Sequence, residues 1–120
     1  MSKYIDGFVI PIKKTNLEAY RVVVEKCAAI WKEHGALEYI EAAGDDMEAK
    51  DMTSFPRLAD CAEDETVIFS WIVFASREAR DVANAKVYAD PRMNELCGSG
   101  PMPFDWKRMA YGGFRTIVEA

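Results

Sequence analysis

The sequence predicts an α+β fold of the ferredoxin-like type, in which a four-stranded antiparallel sheet carries two helices on one face. Segments rich in aromatic and β-branched residues alternate with helix-like segments in the order βαββαβ. Residues 66–74 are apolar at both alternating positions, as is typical of a central strand covered on both faces. The length of 120 residues suits one domain, spanning residues 1–120, with a single core.

The first strand is predicted at residues 4–12, where aromatic and β-branched residues predominate. A helix follows, because Thr15 and Glu18 match a capping box and Gly35, just after His34, is a typical helix terminator. Apolar residues recur between these points at helical spacing and predict the buried face of the helix: Leu17, Tyr20, Val24, Cys27 and Trp31.

Residues 36–43 predict the second strand. Alternation divides its side chains into two faces, with Leu37, Tyr39 and Glu41 on one and Glu38, Ile40 and Ala42 on the other. The connection that follows is about twenty residues long, which exceeds the usual length within a compact domain and favours a functional loop or an interface arm. The acidic excess at residues 45–65 favours a solvated segment, with a short ordered piece at residues 55–58.

Two helices are predicted after the central strand at 66–74. Ser76 is a suitable N-cap for a helix that extends to residue 88 or 89. Its inward residues are predicted to be Ala79, Val82, Ala83 and Val87. Asp90 and Pro91 then begin a short helix, because Asp suits the N-cap and Pro the first helical position. Its apolar side would be Met93, Leu96 and Cys97, and the Gly-Ser-Gly run at 98–100 ends it.

The last strand is predicted at residues 108–118. The chain reaches it through Pro101 and Pro103, which stiffen the preceding turn because proline fixes φ. Gly112 and Gly113 are adjacent within the strand. Such a pair predicts a bulge or the close approach of another backbone or of a ligand.

One sheet face has no helix to cover it in this fold. Residues 4–12 and 66–74 nevertheless carry large apolar side chains at both parities. A broad apolar face usually marks an association site. The sequence therefore predicts a homodimer, a dimeric α/β barrel in which two sheets face each other and enclose a cavity.

Composition disfavours several classes of partner. The net charge is −5, and no basic cluster exceeds Lys13-Lys14 or Lys107-Arg108, so nucleic acid is not an expected partner. No apolar run approaches the roughly 18 residues of a membrane helix, and the first residues lack a signal-peptide core, so neither a membrane partner nor secretion is expected and a cytoplasmic location is. A single histidine and three scattered cysteines offer no metal-ligand spacing, and no motif for a cofactor is present.

Five segments of the chain carry a family resemblance. They are residues 4–8 (YIDGF), 67–72 (VIFSWI), 90–93 (DPRM), 102–105 (MPFD) and 107–114 (KRMAYGGF). Together they resemble the YbaA-like family, a domain-of-unknown-function group of small bacterial proteins, over nearly the whole chain. The resemblance implies the dimeric α+β barrel superfamily, whose members include cofactor-free monooxygenases, haem-degrading enzymes and small-molecule isomerases or dehydratases. It implies no particular reaction for this chain.

Asp6 is the first candidate for chemistry, because aspartate is poorly suited to a strand interior. Small residues at Gly7 and Ser70 suggest the positions beneath the helices. On that basis the helix side is predicted to carry Ile5, Val9, Ile68 and Ile72, and the barrel interior Tyr4, Asp6, Phe8, Phe69 and Trp71. A carboxyl in the barrel would have a raised pKa and suit a general base, with Tyr111 as its partner in proton transfer. The alternative is a structural ion pair of Asp6 with Arg108 or another cation.

Further candidates would bind a substrate rather than react with it. Phe69 and Trp71, with Tyr39 and Tyr111, could line a pocket for a planar ligand, or simply fill a core or dimer interface. Arg92 and Arg108 could hold a ligand carboxylate, or could pair with Asp90, Asp105 or Glu95.

The sequence thus predicts a small cytoplasmic homodimer that binds a small molecule in the barrel cavity. Catalysis would take the form of proton transfer or a cofactor-free oxidation. The alternative function is a non-enzymatic dimer that senses a ligand or serves as a structural partner.

Overall fold

The computed structural model describes residues 2–98 and 102–120 of the chain. Its four strands are β1 (Tyr4–Lys13), β2 (Glu38–Ala43), β3 (Glu65–Phe74) and β4 (Ala110–Arg115). Its α-helices are α1 (Leu17–Glu33), α2 (Phe55–Leu58), α3 (Arg77–Ala89) and α4 (Pro91–Gly98), and single turns of 3₁₀ helix lie at Lys14–Asn16 and Trp106–Arg108.

The strands form one antiparallel sheet in the order β2-β3-β1-β4. The two central strands, β1 and β3, are ten residues long and pair along their full length. This order, with α1 and α3 as the two crossover helices, confirms the predicted α+β ferredoxin-like fold.

The start of α1 differs from the prediction. Thr15 lies in the 3₁₀ turn, and Asn16 occupies the N-cap position without a side-chain hydrogen bond to the helix. Glu18 accepts hydrogen bonds from Arg21 instead of reaching back along the chain. The predicted capping box is therefore wrong, whereas the helix ends as predicted, at a glycine with φ of 120° (Gly35).

The buried face of α3 is rotated from the predicted one. Ser76 caps the helix by accepting a hydrogen bond from the Ala79 amide at 3.0 Å, as predicted. Val82 is 54% exposed, however, and the buried positions are Arg80, Ala83 and Val87. These three lie on one helical stripe, and the stripe includes a charged residue because Arg80 has a buried partner beneath it.

The last strand is shorter than predicted. Residues 106–108 form a 3₁₀ turn that Asp105 caps, accepting a hydrogen bond from the Lys107 amide. The strand ends at Arg115, which is opposite Tyr4, the first residue of β1. Ile117 and Val118 beyond it are exposed, because their would-be partner strand has ended.

The sheet has a helix face and an open face. Asp6 lies directly opposite Ile72, and Phe8 opposite Ser70, so these four side chains project from the same face. Ile72 packs against α1 and α3, which identifies it as the helix face. The predicted assignment of side chains to the two faces is therefore correct on β3, where Ile68 and Ile72 face the helices and Phe69 and Trp71 face away. On β1 the assignment is wrong. Its helix face carries Tyr4, Asp6 and Phe8, and its open face carries Ile5 and Val9.

The core fills the space between the helix face and the helices in two clusters. One joins Ile72 and Phe74 of the sheet to Cys27, Ile30 and Trp31 of α1 and to Ala83 and Val87 of α3. The other joins Ile10, Ile12 and Ile68 to Tyr20. Met93 and Leu96 of α4 pack on the first cluster as predicted, while Cys97 is exposed.

The long connection between β2 and β3 contains the short helix α2, at the position of the predicted ordered piece. Ser54 caps it by accepting a hydrogen bond from the Arg57 amide. The ring of Phe55 lies 5.6 Å from that of Phe69, edge to face. The connection therefore touches the open face of the sheet.

Candidate functional site

A cavity of about 330 Å³ lies between the helix face of the sheet, α1, α4 and the segment that leads into β4. Much of its wall is apolar, formed by residues such as Phe8, Ile10, Val24, Trp31, Ile72, Met93, Met102, Phe104 and Met109. Polar groups reach it from two sides, with Tyr20, Tyr39, Glu41 and Ser70 on one and Asp6, Asn84 and Tyr111 on the other. A mostly apolar pocket with a few convergent polar groups is the usual form of a small-molecule site.

The segment after residue 101 is held over this cavity by contacts with α1. The Asn16 side-chain amide donates a hydrogen bond to the Pro103 carbonyl at 3.0 Å. The Phe104 ring stands edge to face on the Tyr20 ring, with 5.5 Å between centroids. These contacts position Phe104 as part of the cavity wall.

Glu41 anchors the first polar group. The Tyr20 hydroxyl donates to its Oε1 and the Tyr39 hydroxyl to its Oε2, both at 2.7 Å. The nearby Ser70 side chain, opposite Glu41 on β3, also favours the charged form of this carboxyl and so acts to lower its pKa. Burial raises the pKa of Glu41, and the hydroxyl donors offset only part of that rise. Burial and the neighbouring Glu41 charge likewise raise the pKa values of Tyr20 and Tyr39.

Local sequence explains why Glu41 enters the cavity. Strand β2 alternates, so Tyr39 and Glu41 share the helix face, opposite Ile72 and Ser70 of β3. Ser70 is small enough to leave space in front of the carboxyl and polar enough to contact it.

Asp6 anchors the second polar group. Its Oδ1 accepts a hydrogen bond from Arg80 Nη1 at 2.6 Å and one from the Tyr111 hydroxyl at 3.2 Å. Arg80 Nη1 also donates to the Tyr111 oxygen at 3.0 Å, and its Nε donates to Asp81. Burial raises the pKa of Asp6, which is only 2% exposed, and the guanidinium offsets part of the rise. Burial and the Asp6 charge raise the pKa of Tyr111.

Gly113 makes room for this second group. A Cβ at position 113 would lie 2.5 Å from the Tyr4 hydroxyl and 3.0 Å from Arg80 Nη1. The Arg80 guanidinium in turn lies 4.8 Å from the centre of the Tyr4 ring. Gly112 and Gly113 pair in continuous register with Gly7 and Asp6. The predicted bulge is therefore wrong, and the close approach at Gly113 is made by side chains rather than by a second backbone.

Two further side chains at the cavity wall, Asn84 and Cys27, bear polar or ionisable groups. The Asn84 Oδ1 is buried and has no hydrogen-bond partner in the part of the chain that the structure describes. Burial raises the pKa of the Cys27 thiol to about 11, so Cys27 is a protonated, unreactive thiol at neutral pH.

The structure brings together some of the predicted site residues and separates others. Asp6 and Tyr111 are in contact and both line the cavity. Phe69 and Trp71 project from the open face, so the sheet separates them from that pair. Tyr39 stays with the cavity.

Arg92 lies away from the cavity, in an ion-pair cluster where three helix ends meet. It pairs with Glu33 and with Asp90, and Asp90 Oδ2 also lies 2.8 Å from His34 Nε2. Arg92 and His34 together hold the pKa of Asp90 well below its usual range. The structure thus favours the predicted alternative of an ion pair for Arg92.

Arg108 is likewise engaged by protein groups. Its Nη1 donates to Glu65 Oε2 at 2.8 Å, and its Nη2 donates to the Asp60 carbonyl at 2.8 Å. These contacts, with the Ala62 amide, lower the pKa of Glu65 to about 2. Arg108 therefore does not pair with Asp6, and Arg80 takes that place.

A second depression, of about 560 Å³, lies on the open face. Its lining is apolar and includes Ile5, Val9, Phe69, Trp71 and Phe114. The Phe114 ring lies over the glycine pair Gly7 and Gly112, within 3.2–3.4 Å of where a Cβ would stand. Without converging polar groups, this face suits protein contact better than recognition of a polar ligand.

Residues 2–98 and 102–120 contain neither a metal-binding cluster nor a membrane-spanning helix. Among them, no group of three or more His, Cys, Asp or Glu side chains is arranged to hold a metal ion. None of their helices combines the length and apolar character needed to span a membrane.

Sequence reasoning missed Glu41, Tyr20, Arg80 and Asn84 as site residues. A signal for Glu41 was available, since it is a carboxylate inside a strand, the same feature that singled out Asp6. No comparable signal marks Arg80, which lies between an alanine and an aspartate in a helix.

Comparison with known proteins places the chain in a family. The model of the family described as "Protein of unknown function (DUF1428)" matches residues 3–106. "Uncharacterized protein YbaA" of Escherichia coli (strain K12) is 44% identical over 117 residues, which covers 98% of each chain. The protein of the same name from Shigella flexneri matches equally well.

Solved structures with the same fold are more distant in sequence. A dimeric ferredoxin-like protein from an uncultured marine organism has a TM-score of 0.59 at 11% identity, with both chains fully covered. A NIPSNAP family protein with unknown function from Agrobacterium tumefaciens also has a TM-score of 0.59, at 16% identity, covering 95% of this chain and 87% of that one. These likenesses agree with the ferredoxin-like fold, and on the strength of the family match and the 44% identical relatives, the chain belongs to the DUF1428, or YbaA-like, family of proteins of unknown function.

Proposed function

We propose that the chain binds a small, largely apolar molecule in the cavity between its sheet and its helices. The observation that carries this proposal is the cavity itself: about 330 Å³, largely apolar walls, and two carboxyls, the buried Asp6 and the partly buried Glu41, that reach it from opposite sides. Its volume lies at the lower end of the range for small-molecule sites. Asn84 Oδ1 supports the proposal, because an unpartnered buried acceptor at a cavity wall is readily satisfied by a ligand donor.

The test is ligand binding to a variant whose cavity is filled. Val24 lines the cavity from α1, whereas Val22 on the same helix is 42% exposed and does not line it. Native mass spectrometry of freshly purified protein should detect a co-purified small molecule in the wild type and in Val22→Phe but not in Val24→Phe.

Methionine methyl resonances extend the test to added probes. Met93, Met102 and Met109 all line the cavity. Adding 2-phenylethanol should shift their ¹³C-methyl signals in the wild type and in Val22→Phe, and not in Val24→Phe. Equal responses of the two variants, or a wild type that shows neither a co-purified molecule nor a response to the millimolar probe, would reject the cavity as a ligand site.

Proton transfer through Tyr111 and Asp6 is the catalytic form of this proposal. The Tyr111 hydroxyl contacts both Asp6 and Arg80 and lines the cavity, so it could pass a proton between a ligand and the Asp6 carboxylate. The Asp6–Arg80 ion pair favours the alternative, a ligand-binding protein without a reaction, because such pairs often serve structure alone. If Tyr111→Phe leaves turnover of an identified ligand unchanged, the catalytic form is excluded and ligand binding remains.

We also propose that the functional unit is a homodimer that forms through the open face. Phe69 and Phe114 are 44% and 59% exposed on that face, which forms an apolar depression. The fold neighbour from the marine organism is described as dimeric. In such a dimer each protomer would keep its own cavity, because the cavity lies on the other side of the sheet.

A further inference from the structure

Glu41 is a partly buried carboxylate at the cavity wall that lacks a cationic partner. In the described part of the chain its contacts are the hydroxyls of Tyr20, Tyr39 and Ser70, and no lysine, arginine or histidine is among them. Asp6, at the other side of the same cavity, has Arg80 as a partner. Because the Asp6–Arg80 pair is neutral as a unit, the ionised Glu41 leaves the cavity with an uncompensated negative charge. An isolated buried charge is costly unless something pairs with it.

Hydrogen-bonding capacity remains at this point. The Glu41 carboxylate has about four acceptor positions, and the two tyrosine hydroxyls occupy two of them. Tyr20 and Tyr39 each donate their hydroxyl proton to Glu41, so the lone pairs of both phenolic oxygens are available to another donor. Three oxygens around one point of the cavity wall can therefore accept hydrogen bonds.

The surrounding wall is aromatic. Trp31, Phe104 and the rings of Tyr20 and Tyr39 line the same cavity. Aromatic faces attract organic cations through their negative quadrupole, most strongly where water is excluded. An ammonium group has three donors and one positive charge, which matches three acceptor oxygens and one unpaired carboxylate.

From this arrangement we infer that the cavity accepts a protonated organic amine, with its ammonium group on Glu41, Tyr20 and Tyr39 and its apolar body against the remaining wall. The inference rests on the proposed function, since it names the class of ligand that the same cavity would bind. The cavity volume suits a compact monoamine with an aromatic or aliphatic body. A ligand carboxylate is disfavoured at this end, because it would face Glu41.

Three probes of similar size and different charge test the inference. They are 2-phenylethylamine, 2-phenylethanol and 3-phenylpropionate, added at neutral pH to the wild-type protein and followed by calorimetry and by the methionine methyl resonances. We expect the amine to bind at least about tenfold more tightly than the alcohol and the carboxylate to bind most weakly, because the charge pair forms only with the amine.

Variants assign the preference to Glu41. Glu41→Gln should weaken amine binding by about tenfold or more and leave alcohol binding nearly unchanged. Glu38→Gln is the matched control, since Glu38 lies on the same strand but on the open face, where it accepts a hydrogen bond from Trp71 Nε1. Tyr39→Phe keeps the ring and removes one acceptor, so it should weaken the amine by a smaller factor.

The outcomes separate this inference from the proposed function. Alcohol binding that Val24→Phe abolishes, with no preference for the amine, would reject the amine and keep the cavity as a ligand site. Amine binding that Glu41→Gln leaves unchanged would also reject the inference. If none of the three probes binds the wild type at millimolar concentration, the inference is rejected, and the co-purified ligand then decides the proposed function.

Discussion

Glu41 carries a charge that the fold supports poorly, because none of the partners seen in the described chain is a cation. The hydroxyls of Tyr20 and Tyr39 donate to it, yet burial still raises its pKa. The native state therefore holds a proton on Glu41 more tightly than the unfolded chain does. It follows that the wild type loses stability as pH rises from the ordinary glutamate pKa of about 4.3 through the raised one.

We therefore expect Glu41→Gln to be more stable than the wild type at pH 7, and the difference to vanish below about pH 4. Each unit by which the pKa is raised corresponds to about 1.4 kcal/mol. Urea unfolding of both proteins across this pH range measures the difference, with Glu38→Gln as the control that lacks it. A Glu41→Gln protein that is less stable than the wild type at pH 7 would show that the tyrosine hydrogen bonds to the charged carboxylate outweigh the cost of its burial.

Glu65 behaves in the opposite way, because its contacts with Arg108 and the Ala62 amide lower its pKa from 4.5 to about 2. Its ionised form is stabilised in the native state, so the stabilisation is complete above the ordinary pKa and is lost as pH falls toward about 2. We expect Glu65→Gln to cost roughly 1–2 kcal/mol at pH 7, given the partial exposure of Arg108, and almost nothing at about pH 2. A cost that persists unchanged at acidic pH would contradict this assignment.

Asp6 is buried in contact with a charged residue from a distant part of the chain. Asp6→Asn would leave the Arg80 guanidinium buried with only Asp81 to compensate it, and we expect a loss of about 3–5 kcal/mol. The double variant Asp6→Asn, Arg80→Met should recover part of that loss, because it removes the orphaned charge. Thermal and urea unfolding measure both. A loss below about 0.5 kcal/mol for Asp6→Asn would instead identify Asp6 as a strained site residue and favour its catalytic role.

The candidate site could be predicted only in part, because some of its residues stand out in the local sequence and others are buried only through contacts with distant residues. Asp6 stands out in the sequence because a carboxylate in a strand needs an explanation, and Tyr111 belongs to the glycine-rich last strand that resembles the family. Arg80 could not be found in this way. Its burial depends on Asp6, 74 residues away, and helical periodicity alone favours burying Val82.

At the level of elements, the order and type of the helices and strands could be predicted, but which face of β1 meets the helices could not. Helical spacing identified α1 and α3, helped by Gly35 at the end of α1 and by the Ser76 cap of α3. The two-sided apolar pattern identified β3. Strand β1 has large side chains on both faces, so alternation could not decide which face meets the helices. The choice depends on pairing, since Asp6 lies opposite Ile72 and Phe8 opposite Ser70, and cross-strand register is not visible in either strand alone.

The two glycines of β4 offer a matched test of the element's packing. Position 113 faces Tyr4 and Arg80, where a Cβ would approach within 2.5 Å, whereas a Cβ at position 112 would lie 3.4 Å from the Phe114 ring. Tyr4 is buried and cannot easily retreat. We expect Gly113→Ala to destabilise by about 1–3 kcal/mol through overpacking, and Gly113→Val to disrupt β4.

Gly112→Ala is the control and should stay within about 1 kcal/mol of the wild type. Urea unfolding measures all three variants. If Gly113→Ala costs as little stability as Gly112→Ala, β4 tolerates a side chain on its helix face. The close packing of Gly113 against Tyr4 would then not be required for stability.

At the scale of the whole molecule, the chain measures 39 × 38 × 20 Å along its principal axes. The short dimension accommodates one sheet and one layer of helices, since packed layers are about 10 Å apart. No third layer covers the open face in the described chain, apart from the contact of α2 at Phe69. A second copy could supply that layer, because the same apolar patch on both protomers can pair around a twofold axis.

We expect the wild type to sediment as a dimer at micromolar concentration and Phe69→Asp to sediment as a monomer. The substitution places a charge in the wall of the apolar depression, where a second copy would bury it without a partner. Val82→Asp on α3 is the control, because Val82 is exposed on the helix side and should leave the dimer intact. Circular dichroism of both variants should match the wild type, which separates loss of association from loss of folding. A wild type that is monomeric at this concentration, or a Phe69→Asp variant that dimerises as tightly as the wild type, would show that the open face is not the dimer interface.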